Sequence, residues 1–175
     1  ISYARVNDRA NAVAAFLEGK GVKKGDVVSI MILNSPEIYY TMFGAQKLGC
    51  VTGSINYMLK GPEIAYVLED SRPKVVFVGS DYMEEFAKGF NMSGHKPLVV
   101  EALTDVAHSE KISGITLGEI IETYPTRERL VKQSPDDPTL LLYSSGTTGM
   151  PKGILLSNRN ELCICKGKTA FGTSR

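Results

Sequence analysis

The feature that most constrains the fold is a run of apolar residues at 27–33, which reads VVSIMIL. A strand that faces water on one side alternates apolar and polar residues, whereas this run is apolar at nearly every position. Strands of this kind are buried on both faces, as in parallel sheets covered by helices. The run is also far shorter than the roughly 18 apolar residues expected of a transmembrane helix. We therefore predict a buried strand here and no membrane-spanning segment.

Helical patterns alternate with further strands along the chain. Apolar residues fall at helical spacing over 3–18, and Ser35-Pro36-Glu37 places a cap, a proline and an acidic residue in the order that favours the start of a second helix. The other predicted strands are 50–54, 74–79, 97–100, 139–143 and 153–156, and the other predicted helices are 61–72, 81–89, 117–123 and one beginning at 157. This alternation predicts an α/β fold, with a mainly parallel sheet and helices on both of its faces.

The charge balance argues against a nucleic-acid-binding protein. The chain has 20 Lys and Arg against 19 Asp and Glu, a net charge of +1, and it contains no long basic run. Proteins that bind DNA or RNA usually present a strongly basic face. Hydrophobic residues make up 43% and charged residues 22% of the chain, which are ordinary values for a globular domain and exclude wholesale disorder.

The cysteines and histidines predict neither a disulfide framework nor a metal site. The three cysteines are an odd number, and Cys163 and Cys165 lie one residue apart. This usage suits a reducing compartment and predicts a cytoplasmic protein. Leu162 and Ile164 alternate with these two cysteines, which favours packing over reactivity. The two histidines lie in polar sequence without the spacing that metal ligands need.

One segment, residues 143–153, has a composition suited to binding phosphate. It holds four serine or threonine hydroxyls, three glycines and a lysine, directly after a buried strand. Glycines let backbone N–H groups turn towards an anion, hydroxyls donate to phosphate oxygens, and a lysine adds a compact positive charge. The candidate phosphate-binding residues are Ser144, Ser145, Gly146, Thr147, Thr148, Gly149, Lys152 and Gly153. The alternative interpretation is an ordinary surface turn.

The segment differs from the Walker A loop. That loop requires a lysine followed by serine or threonine and leads into a helix, whereas Lys152 is followed by Gly153 and by strand-like sequence. A phosphate group here would therefore be held by hydroxyls, backbone and lysine, without a helix dipole directed at it.

The sequence YSSGTTGMPKG at 143–153 closely resembles the phosphate-loop signature of the adenylate-forming (AMP-binding) enzymes. This superfamily includes acyl-CoA synthetases, luciferases and the adenylation domains of peptide synthetases. Residues 21–26, 34–37 and 45–49 resemble its N-terminal landmarks, and 55–56 with 63–71 most resemble its long-chain fatty-acid–CoA ligase branch. The resemblance is poor only near 102–138 and in the C-terminal tail.

The resemblance implies a two-step reaction that uses ATP, magnesium and coenzyme A. A fatty-acid carboxylate attacks the α-phosphate of Mg-ATP to give an acyl-adenylate and pyrophosphate, and the coenzyme A thiol then displaces AMP. The serines, the threonines and Lys152 of the loop would hold the β- and γ-phosphates, and its glycines would let the loop fold over them.

The same resemblance implies that the chain is an incomplete N-terminal AMP-binding domain. Its expected parts are βαβ units over 1–101, an irregular connection over 102–138, a strand, loop and strand over 139–156, and a cut helix with a tail over 157–175. The family's later Thr-Glu motif, with its magnesium-linked glutamate, has no counterpart in the sequence, and Asn158 stands where many members have histidine. We therefore expect no turnover by the chain alone and no catalytic residue within it.

Three functional hypotheses follow. The chain is the nucleotide-binding part of a carboxylate–CoA ligase, acting on a fatty acid or on an aryl or amino acid. Alternatively it is a non-catalytic nucleotide-binding module. In the third hypothesis it is inert and associates with other copies, since an unfinished sheet exposes strand edges and apolar faces.

Overall fold

The computed structural model of the chain describes residues 1–102, 112, 114–144 and 150–170. Within these residues, six strands form one sheet in the order β4-β3-β1-β2-β5-β6. The strands are β1 (Val27–Met31), β2 (Val51–Ser54), β3 (Val75–Gly79), β4 (Leu98–Ala102), β5 (Pro138–Ser144) and β6 (Lys152–Ser157). Neighbours among β1 to β5 are parallel, whereas β6 is antiparallel to β5. The predicted α/β fold with a mainly parallel sheet is confirmed.

The helices lie close to their predicted positions. They are α1 (Tyr3–Gly19), α2 (Pro36–Lys47), α3 (Gly61–Ser71), α4 (Met83–Met92), α5 (Leu117–Thr123) and α6 (Asn158–Ala170). Local hydrogen bonds fix some of their ends. The Ser2 hydroxyl accepts from the Arg5 backbone N–H at 3.3 Å, and Thr116 and Glu119 form a reciprocal capping box at the start of α5.

Two apolar layers cover the two faces of the sheet, and β3 shows the division. Val75 and Phe77 pack with α1, α2 and α5, whereas Val76 and Val78 pack with α3 and α4 on the opposite face. All four side chains are buried. Because successive strand residues point to opposite faces, a strand covered on both sides is apolar at most of its positions.

Helices α1 and α2 approach closely at Gly44 of α2. A Cβ added there would lie 2.6 Å from Val13 Cγ1 and 2.9 Å from the Ala10 carbonyl oxygen of α1. Distances this short do not occur between real atoms of these kinds, so the two backbones can approach in this way only if residue 44 lacks a side chain. The contact helps to fix the helical layer against the sheet.

The segment after α5 crosses the outer side of α1 and α2 before β5 begins. The Arg129 Nε donates to Glu18 Oε2 at 3.0 Å, and the Val131 backbone N–H donates to the Lys47 carbonyl oxygen at 2.9 Å. Glu128 forms an ion pair with Lys47. These contacts bring the chain back across the layer, so that β5 pairs beside β2.

The outer strand β6 and helix α6 leave apolar side chains in water. Ile154 is 47% exposed and Leu155 is 61% exposed, and Leu162 and Ile164 of α6 are also exposed. Cys163 and Cys165 are exposed as well, so the prediction that they pack was wrong. The alternation of these cysteines with Leu162 and Ile164 gave no indication of this, because it does not show which residues the rest of the chain covers.

Candidate phosphate-binding loop

The candidate loop joins β5 to β6, which form an antiparallel hairpin. Tyr143 pairs with Gly153, and Ser144 pairs with Lys152 at the open end of the ladder. Ser144 and Lys152, from the two ends of the loop, are therefore cross-strand neighbours. Ser145, Gly146, Thr147, Thr148 and Gly149 lie outside the described residues.

The hairpin places Ser144 and Lys152 at the end of the sheet where the parallel strands terminate. Strand β5 runs parallel to β2, with Thr52 beside Leu140 and Gly53 beside Leu141. Its carboxyl end therefore lies at the same edge as those of β1 to β4. Ligands of open α/β sheets bind outside the carboxyl ends of the strands.

Lys152 and Ser144 are both exposed at this end of the sheet. Among the described residues, Lys152 has no ion-pair partner, so its ammonium group is available to an anion. The Ser144 hydroxyl can donate to a phosphate oxygen from the opposite strand. The Lys152 ammonium group and the Ser144 hydroxyl can therefore donate hydrogen bonds to neighbouring oxygens of a phosphate chain.

Tyr143 links the hairpin to helix α3. Its hydroxyl donates to Asp70 Oδ2 at 2.6 Å, a short hydrogen bond to a charged acceptor. Burial of the ring and the nearby Asp70 carboxylate together hold the pKa of Tyr143 well above its ordinary value, so the phenol stays protonated and remains a donor.

Gly153 lies beneath the Tyr143 ring rather than in the loop itself. A Cβ at this position would lie 3.2 Å from Leu141 Cδ1 and 3.5 Å from both Tyr143 Cε1 and Asp70 Oδ2. Gly153 itself lies in β6, opposite Tyr143, and its part in phosphate binding stays a prediction. Asp70 was missed, because it lies 73 residues before Tyr143 and carries no local signal of its own.

The described residues offer no ready site for a metal ion. Among residues 1–102, 112, 114–144 and 150–170, His, Cys, Asp and Glu do not gather in groups of three that could hold one. Magnesium, however, is usually bound through one or two carboxylates and the oxygens of substrate phosphates. In the same part of the chain, no helix combines the length and apolar character needed to cross a bilayer.

Comparison with known proteins gives consistent matches across the chain. The AMP-binding enzyme family matches residues 1–173. The 4-coumarate–CoA ligase CCL1 of Humulus lupulus is 34% identical over 91% of this chain and 28% of its own length. The long-chain-fatty-acid–CoA ligase FadD13 of Mycobacterium tuberculosis is 32% identical over 89% of this chain and 29% of its own.

Solved structures agree with the sequence matches. The anthranilate CoA ligase AuaEII, in complex with anthranoyl-AMP, superposes with a TM-score of 0.84 at 29% identity, over 92% of this chain and 30% of that protein. The Mycobacterium tuberculosis fatty acyl CoA synthetase gives 0.73 at 30% identity, over 90% and 29%. The chain thus spans less than a third of the length of these relatives, which include aryl, coumarate and fatty acyl ligases. From its match over nearly the whole sequence, the chain belongs to the family of AMP-binding enzymes.

Proposed function

We propose that this chain provides the triphosphate-binding loop of an ATP-dependent carboxylate–CoA ligase. The observation that carries the proposal is the β5–β6 hairpin, which brings Ser144 and Lys152 together at the carboxyl end of the parallel strands. The relatives named above are CoA ligases, and one is bound to an acyl-adenylate. Ser145, Gly146, Thr147, Thr148 and Gly149 complete the proposed site.

In the proposed reaction, a carboxylate oxygen attacks the α-phosphorus of ATP, the bond to the bridging oxygen breaks, and pyrophosphate leaves. The coenzyme A thiolate then attacks the acyl carbon, and AMP leaves with the electrons of the broken C–O bond. Lys152 and the loop hydroxyls hold the β- and γ-phosphates and so orient the leaving group and balance its charge. Magnesium would arrive bound to the same phosphate oxygens.

The test is a calorimetric titration of the chain with Mg-ATP, repeated with Lys152→Ala. We expect saturable binding that the variant weakens about tenfold, which corresponds to roughly 1.4 kcal/mol. The matched control is Lys23→Ala. Lys23 is also exposed, but it lies in the turn before β1, at the opposite edge of the sheet. Equal affinities for all three proteins would contradict the role of Lys152, and the absence of binding by the unaltered chain would contradict nucleotide binding by this chain.

We further propose that the substrate is a fatty acid, because residues 55–56 and 63–71 most resemble the fatty-acid ligase branch. Aryl substrates are the alternative, since ligases of both classes are among the relatives. Non-hydrolysable dodecanoyl- and 4-coumaroyl-adenylate analogues can be compared by how far each one raises the melting temperature of the chain. A larger rise with the coumaroyl compound would contradict the fatty-acid proposal.

The non-catalytic alternative predicts ATP binding without reaction in any context. Exchange of labelled pyrophosphate into ATP, measured with a longer protein that contains this sequence, separates the two, because only a ligase reverses adenylate formation. We also propose that copies of the chain associate through β6, the exposed edge strand of the sheet, where the Ile154 and Leu155 side chains are exposed. A concentration-independent monomer in light scattering would contradict that association.

A further inference from the structure

The end of the hairpin that carries the loop extends beyond its pairing with the rest of the sheet. In the described structure, the registered pairing of β5 with β2 ends at Leu141, whereas β5 and β6 continue together to Ser144 and Lys152. The last part of the hairpin therefore needs another support to stay in place.

The Tyr143 side chain provides that support. Its ring packs against the apolar cluster between the sheet and the helices α3 and α4, and its hydroxyl donates to Asp70 near the end of α3. Gly153 of the paired strand lies under the same ring, so both strands of the hairpin meet this contact. The residues next in the ladder, Ser144 and Lys152, are the paired residues at the two ends of the candidate phosphate-binding loop.

Resting on the proposed function, we propose that Asp70 and Tyr143 are positioning residues of the nucleotide site. Their hydrogen bond anchors the projecting end of the hairpin to α3 and thereby sets where Ser144 and Lys152 meet the phosphates. A site whose contacting residues are held by a second set of hydrogen bonds binds more tightly than one left loose.

The contact acts on position more than on overall stability. Asp70 is exposed, and Tyr143 is only partly buried. Surface substitutions away from the core leave the folded state almost as stable as before. The loss of this hydrogen bond should therefore loosen the loop while the chain stays folded.

The test uses the unaltered chain and the variants Tyr143→Phe, Asp70→Ala, Asp70→Asn and the double variant Tyr143→Phe/Asp70→Ala. Tyr66→Phe is the matched control, because Tyr66 lies on α3, packs against the same cluster and keeps its ring. For each protein, Mg-ATP affinity is measured by calorimetry, amide hydrogen exchange is followed over 143–153, and the melting temperature is recorded.

We expect Tyr143→Phe and Asp70→Ala each to weaken Mg-ATP binding about tenfold, by analogy with the smallest losses seen when the hydrogen bonds that support metal ligands are removed. The double variant should be no weaker than either single one, because both remove the same contact. Asp70→Asn keeps an oxygen that can accept from Tyr143 and should stay within about twofold of the unaltered chain. Exchange over 143–153 should rise in the single and double variants that lose the bond, and not in Tyr66→Phe.

Each other result overturns the proposal. Unchanged affinity in Tyr143→Phe and Asp70→Ala would show that the contact is structural only, and so would a fall in melting temperature without a change in affinity. Equal losses in Asp70→Asn and Asp70→Ala would exclude the hydrogen bond as the cause. If the unaltered chain does not bind Mg-ATP, nucleotide binding fails, while the exchange measurement still decides separately whether the anchor holds the hairpin.

Discussion

The close contact of α1 with α2 makes a sharp prediction about Gly44. In most helix interiors, replacing glycine by alanine is stabilising by about 1 kcal/mol, because alanine has less backbone entropy to lose. At Gly44 the new Cβ would lie 2.6 Å from Val13 Cγ1 and 2.9 Å from the Ala10 carbonyl oxygen. We therefore expect Gly44→Ala to destabilise the protein.

The magnitude follows from the two opposing contributions. Overpacking of a filled core costs about 1–3 kcal/mol. The upper half of that range applies here, because one obstructing atom is backbone and Val13 is β-branched with little rotamer freedom. After subtraction of the helix-propensity gain, the net loss is about 1–2 kcal/mol. For a domain of this size, each kcal/mol changes the melting temperature by about 2–4 °C, so a decrease of about 2–8 °C is expected.

The assay is thermal unfolding followed by circular dichroism, with Gly118→Ala as the control. Gly118 is also helical, but a Cβ there would come no closer than 3.9 Å to Thr116 Oγ1. That variant should melt at the same temperature as the unaltered chain or higher. Adding Val13→Ala to Gly44→Ala should cost less than Val13→Ala alone, because it removes the obstructing methyl groups. A rise in melting temperature for Gly44→Ala equal to that of Gly118→Ala would refute the close approach.

Two further predictions concern titratable groups. Burial, with a smaller contribution from Asp26, raises the pKa of the Cys50 thiol to about 12. Maleimide should therefore label both exposed cysteines of α6 and leave the buried Cys50 unlabelled in the folded chain. Three labels found by mass spectrometry without denaturant would contradict this. The hydrogen bond and ion pair with Lys24 hold the pKa of Asp137 below its usual range. A depressed folded-state pKa stabilises the fold above the pKa of the unfolded chain, and this contribution is lost as the pH falls through the folded-state pKa. Asp137→Asn should therefore melt below the unaltered chain near about pH 6, with a difference that shrinks towards about pH 3; a difference independent of pH would contradict it.

The elements that were predicted most reliably are those whose apolar pattern and ends can be read from neighbouring residues in the sequence. Strand β3 is apolar on both faces and was identified within a residue. Strand β4 was predicted to stop at 100, but Glu101 and Ala102 continue it because they pair with Val78 and Gly79. The side chain of a polar residue does not reveal that the residue belongs to a strand when its place there depends on pairing with a neighbouring strand.

The candidate site was predicted from composition, but its support was not. The glycines, hydroxyls and lysine of residues 143–153 predict a phosphate-binding loop. Neither the antiparallel return of β6 nor the contact of Tyr143 with Asp70 has a local signature, because both depend on how distant parts of the chain meet. The same reason explains the exposed cysteines of α6, whose spacing says nothing about which helix face is covered.

The order of strands in the sheet also bears on how the protein is made. Strands β1 to β4 occupy four adjacent positions, and the buried residues of the cluster under α3 and α4 all lie before residue 100. A nascent chain can therefore assemble these four strands while the ribosome is still adding α5 and β5, since domains form from the N-terminus during synthesis. The β5–β6 hairpin then adds to the sheet by pairing β5 with β2, which is until then an edge strand. The candidate phosphate-binding loop between β5 and β6 is thus synthesised after the four strands that form the sheet beside it.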